Sequence, residues 1–114
     1  MTNLQRLLLE TKSINLSQDE LSVYLMESDL SPHTEYDASS ATNKRNIFRA
    51  ALGILESIAN NPSTMKAYKV DDMTVSDFAD SIQSRIDQLE RKIRTMKTDE
   101  QLQGDSNFFM LFNS

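Results

Sequence analysis

The chain contains no cysteine, a single histidine, and only two glycines and two prolines among 114 residues. Without cysteine there can be no disulfide framework, no thiolate metal site and no thiol nucleophile. His33 has no second histidine at ligand spacing and stands beside Pro32, so plain surface is a better reading of it than a metal ligand or a catalytic base. Gly53 and Gly104 stand alone, and nothing resembles a glycine-rich phosphate loop. These absences leave no catalytic residue, no metal site and no cofactor to nominate. Long hydrophobic runs are missing as well. At the N-terminus the single short run, Leu7-Leu8-Leu9, is flanked by Arg6 and Glu10 and is far too brief for a signal sequence or a membrane span. A soluble, unexported protein without a membrane partner is expected, and an intracellular origin fits.

Glycine and proline scarcity leaves a chain well supplied with helix formers, so an all-α fold is the first expectation. Seventeen acids against twelve bases give a net charge of -5, which argues against phosphate neutralisation and hence against a nucleic-acid-binding role. The charge is unevenly placed. Residues 1–40 hold seven acids against Arg6 and Lys12, so that segment carries -5 and the remainder sums to zero.

Leu4, Leu7 and Leu8 follow the i, i+3, i+4 pattern and predict a first helix over residues 3–12. Ser17-Gln18-Asp19-Glu20 is a capping box, and Leu21, Tyr24 and Leu25 continue it as a helix to about residue 28. Pro32 and its polar neighbours mark a loop over 30–40. A central core helix is predicted over 41–60, where Ile47, Phe48, Ala51, Leu52, Leu55, Ile58 and Ala59 make a wide apolar stripe. Between Met65 and Val75 the period shifts towards two. A turn at Asp71-Asp72 would then set Val70 against Met73 and Tyr68 against Val75 in a small hairpin, with an extended loop as the alternative.

The longest helix is predicted over 76–98, capped by Ser76 or Asp77. Its residues Ile82, Ile86, Leu89, Ile93 and Met96 form a seam spaced 4, 3, 4, 3, and Asp87–Arg91 and Glu90–Arg94 stand at ion-pair spacing. The expected architecture is a bundle of about four helices over residues 1–100, followed by an extended tail over 101–114.

The acid pairs Asp19-Glu20, Asp71-Asp72 and Asp99-Glu100 lack the alternating ligands and glycine of a calcium loop, and capping or turn formation explains them better. Arg85, Arg91, Lys92, Arg94 and Lys97 are interleaved with acids and read as a solvated, salt-bridged face rather than a phosphate-binding stripe. Lys44, Arg45 and Arg49 could pair with an acidic neighbour such as another copy of the chain. With Tyr68, Val70 and Met73 of the hairpin region they make up the candidate contact between copies. Phe108, Phe109, Met110, Leu111 and Phe112 follow a polar, glycine-bearing spacer. Five large apolar residues in a row make a poor solvent-exposed end, so they are expected to cap their own bundle or, by a narrow preference, to dock on another chain.

Residues 51–93 resemble the small head-tail connector proteins of tailed phages, also called adaptor or head completion proteins. The matching residues are Ala51, Leu52, Leu55, Glu56 and Ala59 on one helix, then Tyr68, Lys69 and Asp71 in the connecting segment, then Ile82, Ile86 and Leu89 on a second helix. The resemblance covers nearly half of the chain, with motifs that are architectural in kind. It implies a helical structural protein of the virion neck, assembled in the host cytoplasm as a ring of twelve copies. The portal protein would lie above, gripped by the C-terminal segment, and a neck or stopper protein below. Genome DNA would pass without specific binding, because an acidic channel wall repels phosphates. An acidic helical chaperone is the main alternative. A hydrolase has almost no support in the residues, and a DNA-binding regulator rests on Lys44, Arg45 and Arg49 alone.

Overall fold

In a computed structural model, which describes residues 1–70 and 72–102, the chain folds into five α-helices. They are α1 (Asn3–Glu10), α2 (Gln18–Glu27), α3 (Ala41–Ala59), α4 (Met65–Tyr68) and α5 (Val75–Thr95), with a 3-10 turn at Pro62–Thr64 leading into α4. None of these helices is long and apolar enough to cross a membrane.

Helix starts are set by side-chain caps that satisfy backbone amides with no partner inside the helix. Thr2 and Gln5 form a reciprocal capping box on α1, and Ser17 and Glu20 form the expected one on α2. α5 begins one residue earlier than expected, because Thr74 rather than Ser76 or Asp77 is its cap and accepts from the Asp77 amide at 3.1 Å. α2 ends in a Schellman motif. Asp29 adopts φ 62°, its amide donates to the Met26 carbonyl, and the Leu30 amide donates to that of Leu25. An aspartate tolerates this left-handed conformation better than most residues.

α3 is the shared wall. Asn46, Ile47, Phe48, Ala50, Ala51, Ile54, Leu55 and Ile58 are all buried on it, so its apolar surface is wider than one stripe. α1, α2 and α5 all pack on α3, with α1 also touching α2. From α5 come Phe78, Ile82, Ile86 and Leu89, and Ile93 and Met96 of the predicted seam are half-buried at its margin. Leu7, Leu21, Leu25 and Met65 complete the core.

The hairpin does not form. Among the described residues there is no strand, only an isolated bridge between Thr2 and Glu35. Pro62 opens the 3-10 turn, where its missing N–H costs nothing, and the chain continues helically so that Met65 enters the core. Only then does it extend at Lys69 and turn, with the Met73 amide donating to the Val70 carbonyl at 3.0 Å. Neither expected ion pair on α5 forms. Arg91 directs its Nε to the Asp87 carbonyl, the Asp87 carboxylate accepts from Gln83, and no ion pair joins Glu90 to Arg94.

Leu55 is buried between α3 and α5 at 3% exposure. Replacing it with alanine is expected to lower stability by about 2–5 kcal/mol in denaturant unfolding, the range for a buried leucine that leaves a cavity. A loss below about 0.5 kcal/mol, the size of an ordinary surface effect, would remove it from the core.

Candidate interaction site

The first turn of α3 gathers polar groups from three distant parts of the chain. Ser40 caps it, accepting from the Asn43 amide at 3.0 Å. The Asn43 side chain donates to Asn3 Oδ1 at 2.9 Å, and the buried Asn3 amide group donates in turn to the Ser31 carbonyl. These bonds strap the start of α1 and the loop after α2 onto α3.

Asp99 closes the cluster from the other end of the chain. Its carboxylate accepts from the Ser40 hydroxyl at 2.5 Å and from the Ala41 amide at 2.7 Å, while its own amide donates to Thr42 Oγ1 at 2.8 Å. A carboxylate at a helix N-terminus meets both unpaired amides and the positive end of the helix dipole. Thr98 and Gln101 add a capping box of their own, in which the Thr98 amide donates to Gln101 Oε1 and the Gln101 amide to Thr98 Oγ1. Residues 99–102 are therefore a short helical stem anchored on α3, with Leu102 at its end and 46% exposed. Asp99 was legible only as a candidate for capping or turn formation, and its meeting with the start of α3, 58 positions earlier, was not.

The proposed docking residues Phe108, Phe109, Met110, Leu111 and Phe112 lie outside the described residues. The six candidates for contact between copies do not form one face. Tyr68 is half-buried and donates to Glu20 Oε2 at 3.1 Å, a bond that holds its phenol above the ordinary value and ties α4 to α2. Met73 packs against the core, while Val70 is exposed beside Lys12, Ile14, Asn15 and Lys69. Lys44 and Arg49 are exposed on α3, where Arg49 donates to Asn46, and Arg45 packs beside Ile93 and Met96 with its Nε buried and unpartnered.

A second cluster went unnoticed in the linear pattern. At the seam of α1 and α5, Glu10 accepts from Arg6 at 2.7 Å and from Arg85, all three being only partly exposed. Arg6 lies 5.8 Å from the centre of the Phe48 ring and Lys92 4.9 Å from it, and Arg6 also covers Tyr36 at 5.4 Å. Cations over ring faces are attracted by the ring quadrupole. Next to this seam is an apolar pocket of about 220 Å³, lined chiefly by Ile14, Ala51, Leu55, Met73, Phe78 and Ile82, with Arg85 and Glu10 at its rim. No group of three or more acidic or histidine side chains able to hold a metal ion occurs among the described residues.

Neither a protein-family model, nor a curated protein, nor a solved structure matches this chain.

The hydrogen bond from Ser40, reinforced by the Ala41 and Thr42 contacts, holds the Asp99 carboxyl below its ordinary value of 3.8. A depressed folded-state value means that this contribution is complete above the ordinary carboxylate range and is lost as pH falls through the folded one. Asp99→Ala is expected to speed amide hydrogen exchange at Ala41 and release the 99–102 stem at neutral pH, and in the wild type the same change should appear below about pH 3.8. Unchanged exchange at Ala41 in Asp99→Ala would refute the anchor.

Proposed function

We propose that this chain is a non-enzymatic structural adaptor of a tailed-phage neck, placed in a ring between the portal and the neck proteins, with Phe108 to Phe112 as the segment that grips the portal. The observation that carries the reading is the stem anchored by Asp99. A segment that must hold a partner needs a fixed root, since a tethered group gains binding strength when little conformational freedom is lost on docking. Among the described residues fifteen hydrophobic side chains are buried, the last of them Leu89, and the reading assigns the terminal aromatics to another chain.

The net charge of -5 supports the same reading. Beside a duplex an acidic wall repels phosphates and lets DNA slide, the reverse of a binding groove. The resemblance over residues 51–93 supplies the portal as partner and the twelvefold ring. The chaperone alternative draws on the exposed apolar residues Leu8, Leu9, Val23 and Met26, which would suit a client surface.

Deleting residues 107–114 tests the adaptor reading. The adaptor reading expects an unchanged melting temperature together with loss of attachment to portal-bearing capsids, because aromatics buried at an interface dominate its energy. A destabilised chain that still attaches would show that the tail caps its own bundle.

A further inference from the structure

Two of the cations that alternate with acids along the sequence of α5, Arg85 and Lys92, come together in space. With about 3.6 residues per turn, Ser81, Arg85, Gln88, Lys92 and Thr95 run along one flank of the helix with Asp77 at its N-terminal end, whereas Asp80, Asp87, Glu90 and Arg94 fall on the other and Arg91 stands on the outer face between them. Arg85, Gln88, Arg91, Lys92 and Thr95 line one shallow hollow, and no acid lines it. Arg6 and Glu10 of α1 border this flank, so Arg6, Arg85 and Lys92 gather there around a single carboxylate. Arg85 also stands at the rim of the apolar pocket of about 220 Å³. A basic flank and an apolar hollow thus meet at one residue. A partner fitted to them would present carboxylates beside an exposed apolar side chain.

The chain itself carries such a surface on α2. Asp19, Val23, Met26 and Glu27 share one face of that helix by their spacing, Val23 is 46% and Met26 58% exposed, and neither Asp19 nor Glu27 forms an ion pair among the described residues. α2 and α5 both pack on α3, and among the described residues no ion pair joins the acidic face of α2 to the basic flank of α5.

We infer that copies of this chain associate head to tail, the acidic α2 face of one seated on the basic α5 flank of the next. Met26, flexible and unbranched, is suited to an irregular apolar pocket, and Glu27 and Asp19 are complementary to Arg85, Arg91 and Lys92. The contact uses two different surfaces, so it is heterologous and builds either a closed ring or an open filament. This deepens the adaptor reading by assigning the contact between copies, and it moves that contact away from Lys44, Arg45 and Arg49. Portal attachment through the tail is measured separately, so either can fail without the other.

The full chain should sediment with a concentration-dependent rise in mass at low salt that is reduced at high salt, where exposed charges are screened. Gln88→Glu with Arg91→Glu alters only exposed positions of α5, and Val23→Lys with Glu27→Lys only exposed positions of α2. Each pair of substitutions should weaken self-association by at least about tenfold, since like charges then face each other. An equimolar mixture of the two variants should regain it, because each altered face then meets an opposite charge. Circular dichroism checks that both remain folded. A wild-type chain that stays monomeric at millimolar concentration and low salt overturns the inference, as do association indifferent to both variants and a mixture that fails to regain it.

Discussion

α3 has to be covered on several sides at once, and the rest of the chain is arranged by that demand. Eight buried residues spread around it leave no single stripe that one neighbour could hide. α1, α2 and α5 therefore each take a sector. A helix so enclosed still has to satisfy the amides of its first turn, which have no partner inside the helix. Ser40 and Asp99 supply acceptors there, and Asn43 reaches the other way to Asn3. Packing along the length of α3 and capping at its start thus recruit the beginning, the middle and the end of the described chain.

The four long helices were readable because their evidence is local, an apolar residue every three or four positions, joined on α2 by a cap just before the first of them. Ser17 and Glu20 are three positions apart, and their box forms as the spacing requires. What was not readable depends on residues far apart in sequence. Asp99 and Ala41 meet across 58 positions, and Glu10 and Arg85 across 75. No periodicity within one segment can foretell such a meeting. The hairpin failed for a different reason, since Tyr68, Val70, Met73 and Val75 fit a period of two on either side of a turn, while Met65 and Tyr68, three apart, fit one turn of helix equally well. Burial of Met65 decided for the helix, and a lone two-stranded hairpin has little stability to set against it.

The charges of α5 teach the same lesson in another form. Along the sequence Arg85, Asp87, Glu90, Arg91 and Lys92 look like a mixed, self-neutralising face. Wound into a helix, Arg85 and Lys92 lie a fifth of a turn or less apart on one flank, and Asp87 and Glu90 lie beyond the core seam on the other. Charge alternation neutralises a helix surface only when partners fall three or four positions apart and in contact. Here Arg91 turns to a backbone carbonyl and Arg85 to Glu10 of another helix.

Segregation of this kind changes what a net charge of -5 means for the protein. Uniform acidity would make copies repel one another at every approach, and the long-range part of that repulsion would oppose assembly. In the proposed association, an acidic α2 face and a basic α5 flank would instead attract another copy in one relative orientation and repel it in most others. Each such contact would hide positive charge together with negative charge. An assembly built that way would bury its cations at the joints while keeping the surplus acids outside them, and its free surfaces would be more uniformly negative than those of the separate chain. The proposed attraction at the joints and the proposed repulsion of phosphates elsewhere would then come from one charge distribution rather than from two competing demands.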